Sequence, residues 1–200
     1  WPMKRNENNG VQAMTDRQMR YELGRTVVLV GLMGCGKTAV GRALAAQLDA
    51  PFVDSDAEIE TAANATISEV FERDGEAFFR NREAEVIARL LRGAPCILST
   101  GGGAFLAERN RAAISRDGVS VWLNAGLDLL WDRVRHKNTR PLLRTADPRA
   151  TLAGLFAQRR SVYELADLNV RSERAYSIAD MTDRVIDALL ERPEILKAIP

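Results

Sequence analysis

Two hydrophobic periods alternate along this chain. TVVLV (26–30) is a short β-branched run, which reads as a strand buried on both faces. KTAVGRALAAQL (37–48) follows it, with Val40, Leu44 and Leu48 at helical spacing. PFVD (51–54) predicts a short strand. SDAE (55–58) and TISE (66–69) both fit the capping-box pattern, so each predicts a helix start. Residues 75–92 predict a long helix that turns Phe79, Val86, Ile87 and Leu90 toward the core.

The alternation continues through a strand at PCILST (95–100), a glycine run at 101–103, a strand at VSVWL (119–123) and a helix over 126–135. It breaks at HKNTRPLLRTADP (136–148), where basic, polar and proline residues mix without a period, as in a surface loop that serves as a lid. A helix over 149–165, a strand near 168–170 and a helix over 179–191 complete the pattern. Five strands alternating with helices predict an α/β fold: a parallel sheet covered on both faces, in one domain over residues 25–200. Residues 1–24 begin polar and without an apolar signal core, and are expected to be a flexible tail.

Composition narrows the classes. Of 200 residues 46% are hydrophobic and 28% charged, as in a globular protein with a full core. A net charge of +1 provides no global pull toward nucleic acid or membrane surfaces. No run of about 18 apolar residues suggests a membrane span. Cys35 and Cys96 suggest neither a disulfide framework nor a metal site, and both are expected to be buried. The expected setting is cytoplasmic, and the expected state a monomer.

The chemistry concentrates where strands end. GLMGCGKT (31–38) fits G-x-x-x-x-G-K-[ST] through Gly31, Gly36, Lys37 and Thr38, between a strand and a helix. Glycines let backbone N–H groups converge on phosphate oxygens, and the helix adds the positive end of its dipole. Lys37 would reach the β- and γ-phosphates, and the Thr38 hydroxyl would ligate Mg²⁺. Lysine is scarce here: only Lys4, Lys37, Lys137 and Lys197 occur among 28 basic residues. The loop identifies a phosphoryl donor and leaves the acceptor open.

Acceptor candidates lie at the carboxyl ends of the other strands. Asp54 and Asp56 could serve a metal ion and a substrate hydroxyl, or could cap a helix, which accounts more readily for Asp56 than for Asp54. Gly101, Gly102 and Gly103 could bring bare backbone against a substrate, or merely form a flexible connection. Arg80 could fork onto a carboxylate, or pair with Glu76 or Glu83 at helical spacing.

In order along the chain, GLMGCGKT, FVDSD, FRNRE (79–83), GGGAF, RPLL (140–143) and RRSVYELAD (159–167) resemble the shikimate kinases over roughly residues 25–190. The resemblance implies a P-loop kinase of the nucleoside-monophosphate kinase type, with a five-stranded parallel sheet and a lid. It implies transfer of the γ-phosphoryl of ATP to the 3-hydroxyl of shikimate, on the route to chorismate and the aromatic amino acids, with one Mg²⁺ per subunit. ATP would contact Gly34, Cys35, Gly36, Lys37, Thr38 and Ala39, with Arg133, the lid residue Arg140 and Arg174. The metal would lie at Thr38 and Asp54. Shikimate would contact Asp56, Arg80, the three glycines and Arg159, and catalysis would rest on Lys37, Asp56 and Arg140.

Three departures stand against the family's pattern. The lid between Arg133 and Arg140 holds HKNT, Ser161 stands where proline is usual, and VRSERAY (170–176) matches poorly. The second leaves Arg159 and Arg160 as alternatives. The rival reading is another small-molecule P-loop kinase, such as a gluconate kinase.

Overall fold

The computed structural model describes residues 20–137 and 141–199. Its main sheet has five parallel strands: β2 (Thr26–Val30), β3 (Phe52–Asp54), β4 (Ile97–Ser99), β5 (Gly118–Ala125) and β6 (Leu168–Ser172). Their spatial order is β3-β4-β2-β5-β6. The fold class is the α/β architecture expected from the sequence.

The central strand β2 is buried at every position, and Val27, Val28 and Leu29 are wholly inaccessible. Burying such a side chain contributes on the order of 1.5–3 kcal/mol. Helix α1 (Lys37–Gln47) places Val40, Leu44 and Ala45 in the same core, as its spacing predicts. From β2 the chain passes to β3 and β4 on one side, then to β5 and β6 on the other. The carboxyl end of β2 therefore lies at the switch point, where open α/β sheets form their ligand crevice.

Helix α2 (Ser55–Ala63) begins at Asp54, whose carboxylate accepts from the backbone N–H groups of Asp56 and Ala57. The capping pattern pointed to Ser55 instead. Ser55 is buried, and Asp54, which ends the strand, is the residue with extended backbone and a carboxylate within reach of the first helical N–H groups. Helix α3 (Ile67–Leu91) carries the expected Thr66/Glu69 capping box. It is broken at Gly75, at φ 83°, so the two helical stretches read from the sequence run on across a kink. Its second stretch buries Phe79, Glu83, Ile87 and Leu91.

Helices α4 (Glu108–Asp117), α5 (Leu127–Val134), α6 (Pro148–Tyr163) and α7 (Ile178–Leu190) complete the layers. A 3₁₀ turn spans Pro141–Leu143 within the expected lid. Cys35 and Cys96 are buried free thiols.

One further pairing was not expected from the sequence. Strand β1 (Arg20–Leu23) runs antiparallel to β7 (Leu196–Ile199), in register from Arg20 with Ile199 to Leu23 with Leu196. Strand β1 lies inside the segment read as a flexible tail. Gly24 N–H extends the ladder to the Ile195 carbonyl at 2.8 Å. Ile195 and Leu196 are buried in the main core, so the pair is tied to the domain.

Candidate functional site

The P-loop leaves β2 and enters α1 with Gly34 and Gly36 at φ 84° and 101°, a left-handed conformation that side chains resist. No side chain caps α1 and no acidic residue occupies its first turn. Its leading N–H groups and dipole thus favour an anion at this end. Lys37 Nζ donates to the Gly31 carbonyl at 2.8 Å and to the Leu32 carbonyl at 3.3 Å. Arg133, from α5, donates to the carbonyls of Gly34 and Cys35, both at 3.3 Å.

Around this loop opens a cleft of about 720 Å³, lined by Gly34 through Ala39 with Asp54, Asp56, Gly101, Gly102 and Arg133. Most of the residues expected to hold ATP are therefore in one place. Arg174 is not among them. It is exposed and ion-paired with Asp132, and the cleft wall at that end comes from Tyr176, Ser177 and Ile178 instead. The reason is local geometry: β6 ends at Ser172, and the chain turns outward before α7 begins. Arg140 lies outside the described residues.

A second cleft, of about 550 Å³, is lined by Phe71, Phe79, Arg80, Glu83, Leu142, Arg159 and all three glycines. The two clefts share Met33, Asp56, Gly101 and Gly102. Arg80 is held by Glu83, whose oxygens accept from Nη1 at 2.9 and 3.2 Å, and more loosely by Glu76 at 3.5 Å. Pairing and cleft-lining, opposed in the sequence reading, thus coexist. Glu83 is only 1% exposed, and burial pushes its pKa up against the opposing pull of Arg80 and Arg109. A Cβ at Gly103 would come within 2.7 Å of Arg80 Nη2, and one at Gly101 within 2.8 Å of Asp56 Oδ1. The glycine run is a fitted surface beneath these side chains, rather than a loose connection.

Arg159 is half-buried and faces Gly102, whereas Arg160 is exposed and pairs with Glu164 at 3.0 Å. That settles which of the two lines the cleft. Asp56 is pushed up to about 6, first by burial, then by the charges of Asp54 and Glu83, with Lys37 pulling the other way. Its Oδ1 is buried and accepts no hydrogen bond among the described residues. Sequence reasoning did not assign to the site Glu83, or Tyr163, whose hydroxyl donates to the Gly102 carbonyl behind the cleft wall. The signal for each was an arginine partner on the same helix face, three residues from Arg80 and four from Arg159.

Hard oxygen donors are present for a divalent cation, in the Thr38 hydroxyl and the Asp54 carboxylate. Asp54 Oδ1 takes both cap bonds, which leaves Oδ2 outside the cap. No cluster of three or more His, Cys, Asp or Glu able to hold a metal occurs among the described residues. A sparse protein donor set suits Mg²⁺, which keeps waters and takes phosphate oxygens.

Known proteins point the same way. The profile of the Shikimate kinase family matches residues 33–190. A shikimate kinase of Ruegeria pomeroyi is 67% identical over 175 residues, covering 88% of this chain and 90% of that protein. One of Cereibacter sphaeroides is 60% identical over 181 residues, covering 90% of each. Among solved structures, the shikimate kinase of Acinetobacter baumannii in complex with shikimate superposes with a TM-score of 0.78 at 36% identity, covering 84% of this chain and 93% of that one. A gluconokinase from Sinorhizobium meliloti shares the fold alone, with a TM-score of 0.55 at 17% identity, so the rival reading is not favoured. With the family profile spanning most of the chain, and relatives of this identity matched over nearly their full length, this chain belongs to the shikimate kinase family.

Proposed function

We propose that the two clefts are the donor and acceptor halves of one phosphotransfer site, moving the γ-phosphoryl of ATP to the 3-hydroxyl of shikimate. The observation that carries this reading is their shared wall at Asp56, Gly101 and Gly102. Phosphoryl transfer asks a protein mainly for positioning and charge stabilisation. In the donor cleft, Gly34 through Ala39 cradle the phosphates, Lys37 neutralises the β- and γ-oxygens, and Arg133 flanks the nucleotide. Thr38 and Asp54 would hold Mg²⁺, which when bound would offset charge on the transferred group.

In the acceptor cleft, Arg80 and Arg159 form the cationic end that takes the shikimate carboxylate. Gly101 to Gly103 let the ring approach the backbone. Asp56 accepts the proton of the reacting hydroxyl. A carboxyl near 6 is mostly ionised at neutral pH and is a better base than an ordinary aspartate. Arg140 is assigned to the closing lid by resemblance. The turn at 141–143 that follows it brings Leu142 to the acceptor cleft, which supports that place. Arg174 is assigned no contact with ATP; its ion pair with Asp132 argues against one.

No helix of the described residues is long and apolar enough to cross a membrane. With ATP as donor, the cytoplasm is the compartment this reading calls for.

A coupled assay of ADP release, with shikimate and gluconate offered separately, tests the proposal. Turnover with shikimate alone is expected. Turnover with gluconate and not shikimate would overturn it.

A further inference from the structure

We infer that Tyr163 is a positioning residue for the acceptor site, its hydroxyl tying the glycine run to the helix that carries Arg159. The inference rests on the assignment of Gly102 and Arg159 to that site.

Tyr163 closes α6 and is 2% exposed. Its hydroxyl donates to the Gly102 carbonyl at 2.5 Å. The three carbonyls of the glycine run are each engaged, but not in the same way. Gly101 accepts from Ala104 N–H and Gly103 from Leu106 N–H, both at 3.1 Å, within the same turn. Gly102, between them, is the one held by a side chain from another element. A peptide unit is planar, so fixing the Gly102 carbonyl also fixes the Gly103 N–H at the other edge of that plane. Gly103 lies against Arg80 and lines the acceptor cleft.

Arg159 belongs to the same arrangement. It precedes Tyr163 by four residues, so the two project from one face of α6. Its Nη1 lies 3.7 Å from the position a Cβ on Gly102 would take. The Arg159 guanidinium nearby pulls the phenol's pKa down, yet burial dominates and pushes Tyr163 up to about 12. The hydroxyl therefore keeps its proton, and can donate, throughout the neutral range. The ring is braced from β5 by Trp122, stacked with centroids 6.1 Å apart. One phenol thus fixes the height of the glycine surface relative to an arginine of the same cleft.

A tyrosine that merely fills the core would contribute to stability and not to substrate affinity, and kinetics separate the two roles. Tyr163→Phe keeps the ring and its stacking on Trp122, and removes only the hydroxyl. Losing this bond and stranding a buried carbonyl should raise KM for shikimate about tenfold. KM for ATP should stay within about twofold and the Tm within a few degrees. Arg159→Ala, assayed beside it, should raise the shikimate KM more. If Arg159→Ala raises that KM and Tyr163→Phe does not, the positioning role is wrong while the acceptor-site assignment stands. If neither moves it, the assignment of the site fails and the inference with it. A parallel rise in both KM values with a lowered Tm would reduce Tyr163 to a packing residue.

Discussion

Asp56→Asn should lower kcat and stabilise the enzyme. Asp56 is half-buried beside Asp54 and Glu83, and its pKa is raised from 3.8 to about 6. The folded protein therefore binds this proton more tightly than the unfolded chain does. Above pH ~6 the ionised carboxylate destabilises the fold, by about 3 kcal/mol for a shift of roughly two units. As pH falls from 6 toward 3.8 the native protein takes up the proton first, and the penalty shrinks by about 1.4 kcal/mol per pH unit. Asparagine is nearly isosteric and has no charge to bury. Since its amide must still be accommodated, a gain of about 1–3 kcal/mol is expected at pH 7.5.

Urea unfolding of both proteins at pH 7.5 and pH 5.0 measures this directly. The variant should have the higher midpoint at pH 7.5, with unchanged slope, and its advantage should narrow by about 1.4 kcal/mol at pH 5.0. The same carboxyl should give kcat/KM for shikimate an acid limb near pH 6, which the wild type shows and the residual activity of the variant lacks. A variant less stable at pH 7.5, or an advantage that does not depend on pH, would refute the reasoning that burial and like charge raise this group. Stability given up at a reacting group is a common feature of active sites.

Three other outcomes follow from the site. Lys37→Ala should abolish turnover while circular dichroism stays native, because its described bonds stay within the P-loop, to the Gly31 and Leu32 carbonyls and the Cys35 sulfur, rather than reaching other elements; near-normal turnover would remove the P-loop from the mechanism. Arg159→Ala should raise the shikimate KM by at least about 30-fold, the equivalent of about 2 kcal/mol for an under-paired carboxylate, whereas Arg160→Ala at its exposed pair with Glu164 should change it little. Arg140→Ala should lower kcat with little change in the shikimate KM, and an unchanged kcat would take this residue out of catalysis.

What the sequence could disclose was what short range determines. The P-loop octet carries its glycines, lysine and threonine in eight consecutive positions, and β2 and α1 are periodic enough to frame it. The β1–β7 pair was hidden because its strands are four residues each and lie at opposite ends of the chain. Arg159 and Arg160 differ by one helical step of about 100°, and only the packing of α6 on the glycine run decides which one faces the cleft. Arg174 was carried over on a segment that matches the family poorly, and the structure pairs it with Asp132, outside the lining of the cleft. Glu83 was visible as a helical partner for Arg80, but not as a buried one, because burial depends on what α4 and the glycine turn place over it.

Asp54 shows how a structural role and a chemical one can share a carboxylate. From sequence, helix capping and metal binding were alternatives, with capping the poorer account of this residue. The structure makes Asp54 the cap, but through one oxygen only, Oδ1. Capping needs an oxygen and no charge, so asparagine serves as well at such a position. The charge has a visible cost, since Asp54 is the second-largest cause of the raised pKa of Asp56, after burial. Two carboxylates crowded at one strand end repel each other, and a cation between them and the phosphates would relieve that repulsion. Capping explains the oxygen at Asp54 and leaves the charge unexplained; the proposed role in holding a magnesium ion would account for the charge.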